Sequence, residues 1–378
     1  MTGRDLRALL ALVGVVAVGV VAWQRLPDPP LADFAEYWAA GRLILAGENP
    51  WDIEQVRTLE NEAGRPGEPV LMWNPPWALT LVVPLGMLGV RPAYWLWQAA
   101  NALTLLGAIW LLARLYAPNQ WRAQAGVGCL TFFPVYIALA QGQIAGLLPL
   151  GAALVLWAIE AEREFLVGLA ATLLSIKPQV GYLVWVALGL WIVAGRRWRV
   201  VAGLACGIGV CLLPPLLLNP QVITQYREAV VLHPPTQYAT PTWGTFLRLA
   251  IGTEQFWLQS VTPCLGMVWL GLYWWTRPRW NWLDEFPLIA GVSVASMGYG
   301  WFYDLVLMLP GVAQVTGMGA LPRGGVVVYL LLNLVAFLQV LAGAHGMWYV
   351  WAAPAFLGLQ LYLRRREAAC PHTLHPVG

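Results

Sequence analysis

The chain has 378 residues, of which 59% are hydrophobic and only 11% charged, and its mean hydropathy is +0.62. Soluble domains carry about 25% charged residues, so a soluble globular class is excluded and an integral membrane protein is indicated. The net charge is only +3, and the basic residues fall in short clusters rather than a continuous patch, which excludes a nucleic-acid surface.

Apolar runs near the roughly 20 residues that cross a hydrocarbon core recur from end to end, so residues 1–378 read as a single integral membrane domain. The first run, 6–23, follows Arg4 and Arg7 and ends before QRLPDPP. Its length suits the h-region of a signal peptide, but no small-x-small cleavage site precedes QRLPDPP, so it reads as an uncleaved first span. Many of the 23 Trp, including Trp23, Trp73, Trp77, Trp121, Trp348 and Trp351, stand near run ends, as rings anchored at the headgroup level do.

Residues 24–72 form the first long connection, placed outside the membrane after one span. Past LPDPP it reads as two amphipathic helices, 33–46 and 52–63, split by Gly47 and Asn49-Pro50. Asp33 and Glu36 are spaced i, i+3, with Tyr37 at i+4, so one face presents two carboxylates and a phenol. The same D-x-x-E pattern is a capping box, so Asp33 is either a helix cap or a reactive carboxylate. Asp52 reads as a cap on the same logic.

Seven candidate spans follow: 75–90, 93–115, 123–140, 144–159, 165–176, 178–194 and 200–218. Gln141 and Gln143 in QGQIAG place two amides and two glycines between two of them, as a tight turn or as polar contacts at a site. Lys177 is the only Lys beside 21 Arg, and it ends the shortest run. An ionisable group at such a position is a functional candidate by default, with snorkelling to the interface as the alternative. A compact ammonium suits a phosphate as a point charge. RRWR, Arg196 to Arg199, separates two spans.

The second long connection, 219–256, is also placed outside and carries His233, positioned to titrate or to bind a phosphate. Five further runs complete the chain: 257–275, 286–303, 304–319, 325–343 and 347–363, the last followed by Arg364 to Arg366. Asp304, isolated in GYGWFYDLVLMLP, either pairs with Lys177 or an Arg across the bundle or sits at an outer mouth. No H-E-x-x-H, Asp-x-Asp or Cys/His cluster marks a metal site; the five Cys are scattered apolar fillers. No metal and no cofactor are expected.

The positive-inside rule places all three Arg clusters in the cytoplasm and demands an even number of crossings. Thirteen runs violate that parity. The 165–176 run, closed by Lys177-Pro178, is the one expected to be broken or re-entrant.

The ordered set DFAEYWAAGRLILAGENPWD, WNPPWALTLVVPLGML, QGQIAGLLPLGAAL and LVGLAATLLSIKPQ followed by RRWR resembles glycosyltransferase family 87, membrane GT-C enzymes related to polyprenol-phosphate-mannose-dependent mannosyltransferases. The resemblance covers about residues 33 to 215 and continues more weakly through PTWGTF and GYGWFYDLVLMLP. It implies an all-α polytopic bundle of GT-C type, with about 10–13 transmembrane helices and juxtamembrane helices in the first outer loop. It also implies an active site on the outer face of the plasma membrane, a polyprenyl-phosphate sugar donor and a glycan or glycolipid acceptor.

Asp33 matches the family's catalytic aspartate and Lys177 its Lys-Pro. On this reading Asp33 is the base of a single inverting displacement, and Lys177 and His233 meet the donor phosphate. Glu36, Tyr37, Gln141, Gln143 and Asp304 support them or meet the acceptor. The alternative from another class is a transporter of a lipid-linked or small anionic solute, which would be expected to show paired halves with matching broken helices; no such repeat is visible.

The Arg clusters generate the first test. Reporter fusions at Gly67 and after Arg366 should report opposite sides of the membrane, the second cytoplasmic. The same side for both would overturn the topology.

Overall fold

The computed structural model describes residues 31–235, 238–277, 280–319 and 321–369. The proposed first span, 6–23, lies outside the described residues. Every regular element among the described residues is helical, as an apolar chain in lipid requires, because a helix satisfies its own backbone polar groups.

The chain opens with α1 (Phe34–Leu45) and α2 (Ile53–Glu62), then α3 (Leu79–Gly86), α4 (Val90–Tyr116), α5 (Arg122–Leu130) and α6 (Pro134–Ala140). Next come α7 (Leu147–Glu160), α8 (Glu164–Leu174), α9 (Tyr182–Gly195), α10 (Trp198–Leu218) and α11 (Val222–Leu232). The remainder is α12 (Trp243–Ile251), α13 (Val261–Trp275), α14 (Trp282–Ser296), α15 (Leu309–Gly317), α16 (Arg323–Leu341) and α17 (Ala352–Ala369).

By length and composition α4, α10 and α16 can each cross a membrane alone, and α5 with α6, bent by 54°, would make a fourth span. The other apolar runs are shorter helices or are interrupted. Pro134 starts α6 after a break at 131–133, and the run 304–319 begins as a 3-10 helix, Phe302–Met308, before α15. A proline removes a donor and crowds the preceding turn, so a run of apolar letters does not guarantee one continuous helix. The 165–176 run becomes α8, only 11 residues long, and the chain is non-helical from Ser175 to Gly181 before α9 begins.

The first long connection differs from its sequence reading. The expected amphipathic helix 33–46 is α1, and ten of its twelve residues are buried, including Phe34, Glu36 and Tyr37. It packs with α3, the start of α4 and Ile144 into one apolar cluster. Small residues allow the approach: a Cβ on Gly41 would lie 2.3 Å from the Val82 carbonyl oxygen, and one on Gly86 only 2.2 Å from the Gly41 oxygen. The second helix, α2, keeps the expected place, and Asp52 caps it by accepting from the Glu54 and Gln55 amides.

A second backbone-to-backbone seam joins α8 to α10. A Cβ on Gly168 would meet the Val200 carbonyl oxygen at 1.9 Å, and one on Gly203 the Phe165 oxygen at 2.0 Å. Lipid supplies no hydrophobic drive between helices, so close packing of small residues carries their association. This seam fixes the end of α8, and with it the buried turn that follows.

Gly203→Ala should therefore destabilise the protein by at least the ~1–3 kcal/mol typical of overpacking. Gly209→Ala, on the same helix with nothing within 4 Å, should leave it unchanged. Thermal unfolding of the two variants in detergent compares them directly.

Candidate active site

Two irregular segments form the floor of a cavity of about 550 Å³. One is the QGQIAG turn between α6 and α7. Gln143 N–H returns to the Ala138 carbonyl and Gly142 N–H to that of Leu139, with Gly142 at φ +66°, a left-handed conformation that glycine adopts without cost. The Trp97 indole donates to the Gly142 carbonyl at 2.6 Å. The segment is a tight turn, and it delivers the Gln143 side chain to the cavity.

The other segment is the break after α8. Asn74 donates to the Ile176 carbonyl at 3.0 Å and Trp77 to the Ser175 hydroxyl at 2.9 Å. WNPPW thus holds the backbone beside Lys177. Non-helical backbone persists at such depth when protein surrounds it and satisfies it.

Gln143 is the hub. Its Oε1 accepts from the Tyr37 hydroxyl and from Lys177 Nζ, each at 2.9 Å, while its Nε2 donates to Asp33 Oδ2 at 2.5 Å. The reversed amide would set N–H against an ammonium and a phenol donor and oxygen against a carboxylate, so the network fixes the orientation. Lys177 Nζ also donates to Asp304 Oδ1 at 2.9 Å and lies 4.6 Å from the centre of the Tyr303 ring. Asp304, 1% exposed, accepts on its other oxygen from the Trp301 amide at 2.8 Å. Of the two sequence readings of Asp304, the buried pair with Lys177 is the one found, and Lys177, 7% exposed, does not snorkel.

Asp33 occupies the N-cap position of α1 but makes no side-chain capping bond. Its carboxyl is raised above the usual Asp range by burial, against the lowering effects of the Gln143 bond, the Lys177 and Arg65 charges and a Tyr303 hydrogen bond. Glu36 is raised much further, first by burial and then by the negative charge of Asp33. Of the two carboxyls, Glu36 is the harder to ionise.

Asp33, Glu36, Tyr37, Gln141, Gln143 and Lys177 all line the cavity. His233 does not: it is exposed at the end of α11. The imidazole on the cavity wall is His345, from the loop between α16 and α17. Sequence reading also missed Asn74, Tyr238, Tyr299, Trp301 and Tyr303 on the wall. The signal for His345 was present, since LAGAHG interrupts two apolar runs as QGQIAG does. Among the described residues no group of three His, Cys, Asp or Glu side chains is arranged to hold a metal ion.

The fold and cavity define a helical membrane protein with an ionisable, aromatic-walled site buried inside its bundle. The model of glycosyltransferase family 87 matches residues 73–310, more than half of the chain. The chain belongs to glycosyltransferase family 87, and it is a membrane glycosyltransferase. That membership decides against the transporter alternative. Gln143, Lys177 and Asp304 lie inside the matched region, whereas Asp33, Glu36 and Tyr37 precede it. Comparison with the curated proteins and with the solved structures gives no match.

The buried pair generates a stability test. Lys177→Met leaves Asp304 buried without its cation, a change that typically costs about 3–5 kcal/mol. Lys177→Met with Asp304→Asn should recover most of that loss. Thermal unfolding of the single and double variants measures the coupling.

Proposed function

We propose that this cavity transfers a sugar from a polyprenyl-phosphate donor to an acceptor hydroxyl at the outer face of the plasma membrane, by one inverting displacement. The observation that carries the proposal is the bonded series Asp33–Gln143–Lys177–Asp304, which sets a carboxylate and a cation beside one open cavity. The family resemblance points to mannose as the sugar and to a glycan or glycolipid as the acceptor.

The chemistry needs a base and a place for negative charge. Asp33 takes the proton of the acceptor hydroxyl as that oxygen bonds to the anomeric carbon. The bond from the anomeric carbon to the phosphate oxygen breaks, and its electron pair leaves with the polyprenyl phosphate. That leaving group is already an anion, so it needs a cation and not a general acid. Lys177 supplies the charge, held in place by Asp304 and Tyr303. His345, on the cavity wall, takes the phosphate-contacting part that the sequence alone gave to His233.

Glu36 stands on the same wall, braced by its neighbour Tyr37, whose hydroxyl already donates to Gln143. A protonated Glu36 can donate to a sugar hydroxyl without adding a second negative charge beside Asp33. The aromatic walls offer apolar faces to the sugar ring and leave the polar groups to fix its orientation. Asp33 lies in the first outer connection, where a headgroup anchored by its prenyl chain meets an acceptor arriving from outside.

Substitution at Asp33 tests the mechanism. Asp33→Asn keeps an oxygen for Gln143 but cannot take a proton, so turnover should fall by roughly 10²–10⁴. Glu36→Gln should cost much less. The acid limb of the wild-type pH–rate profile should lie above 3.8, the unperturbed Asp value. The assay follows transfer from labelled polyprenyl-phosphate sugar at matched expression and matched thermal stability. Near-normal turnover in Asp33→Asn would reject Asp33 as the base.

A further inference from the structure

A second cavity, of about 450 Å³, lies between α5, α15, α16 and α17. It touches Gly325, Val326, Tyr329 and Leu330 at the start of α16, whereas the catalytic cavity touches Val340 and Gly343 at its end. At 1.5 Å per residue the two are separated by about 15 Å along this spanning helix. The second cavity therefore lies toward the opposite side of the bilayer. Its wall is apolar, with Val312, Val315, Phe356 and Leu359 among its residues, and it reaches the surface beside Leu330, which is 52% exposed.

Gln360 is the exception on that wall. It is 5% exposed, and its Nε2 has no hydrogen-bond partner. Two glycines make room for it: a Cβ on Gly311 would lie 2.6 Å from Gln360 Oε1, and one on Gly291 3.3 Å. Four other polar side chains of the wall have partners inside the protein, Gln124 among them through the Thr316 and Gly319 carbonyls. The Tyr329 hydroxyl donates to the Gly128 carbonyl, Thr316 to that of Val312 and Thr131 to that of Val127. A buried amide donor without a partner costs about 1–3 kcal/mol.

One helical turn beyond Gln360 on α17 lies Arg364, whose Nη1 is also buried and unpartnered. The ends of the same helices carry Arg122, Arg323, Arg365 and Arg366, basic residues suited to anionic lipid headgroups, although Asp284, Glu285 and Glu160 stand near Arg364.

We infer that this cavity is a binding site for an anionic diacyl phospholipid of the opposite leaflet. One acyl chain enters beside Leu330, its ester carbonyl accepts from Gln360 Nε2, and its phosphate meets Arg364 about 6 Å along the helix. The two donors at two depths select this occupant. A polyprenyl phosphate has no acceptor below its phosphate, and water would need two to four polar partners. The site is separate from the catalytic cavity and does not depend on its mechanism.

Native mass spectrometry of the delipidated full-length protein, titrated with phosphatidylglycerol and with phosphatidylcholine, tests the site. The wild type should bind phosphatidylglycerol about fivefold more tightly, the effect of roughly one basic residue near an anionic headgroup. Arg364→Gln should remove that preference, and Gln360→Leu should weaken both lipids by about tenfold. Val326→Trp, which fills the cavity, should abolish binding, and Leu359→Trp replaces it if that variant does not fold. Equal affinity for the two lipids in the wild type, or phosphatidylglycerol binding that survives cavity filling, would overturn the inference. Displacement of phosphatidylglycerol by a polyprenyl phosphate would overturn it as well, by making this a prenyl site. Loss of sugar transfer in Asp33→Asn, or its retention, bears on the catalytic proposal alone.

Discussion

The ion pair between Lys177 and Asp304 is the constraint on which the site depends. Two opposite charges, 7% and 1% exposed, are out of water within a protein that has little polar material to spare. Desolvating each costs several kcal/mol, and only close geometry with further hydrogen bonds offsets that. Those bonds are present: Gln143 shares the ammonium, and the Trp301 amide takes the second oxygen of Asp304. Because the pair cannot separate cheaply, it locks together the break after α8, the QGQIAG turn and the 3-10 segment Phe302–Met308. Residues 127 positions apart in the chain thereby make one surface.

The helices around that pair are arranged to let backbone come close. Gly41 against Gly86 seats α1, and Gly168 and Gly203 seat α8 on α10. These seams lie away from the charges, yet they set where Asp33 and Lys177 begin, since each charge stands at the end of a helix that a glycine seam holds. An error of an ångström at either seam would reach the Gln143 bonds directly. Rigid elements supply the position, and the irregular segments between them supply the chemistry.

Electrostatics then separates the two carboxyls of the first connection. Both stand on one helix three residues apart, and burial penalises the charge of each. Asp33 has Gln143 and the field of Lys177 to support its anion; Glu36 has the anion of Asp33 as its neighbour. The environment thus sets two similar side chains apart, Glu36 being much the harder of the two to ionise.

Much of this was legible in the letters. Composition, 11% charged, pointed to a membrane protein, and the long unbroken apolar runs pointed to helices, which satisfy their backbone within one segment. Asp52 was readable as a cap, and QGQIAG and Lys177-Pro178 as breaks, because Pro and Gly act through local backbone geometry. The scarcity of polar residues also marked Lys177 and Asp304 in the apolar runs, Gln143 between two of them and Asp33 in the first connection as groups needing an explanation. What the letters could not decide was who meets whom. Whether Asp33 capped a helix or entered a site, whether α1 was an amphipathic surface helix or buried, and whether His233 or His345 reached the cavity all turned on contacts between distant segments. Local sequence carries propensity and periodicity, which act over a few residues. The partner of a buried charge is selected by packing across the whole bundle, and only the tertiary structure contains that choice.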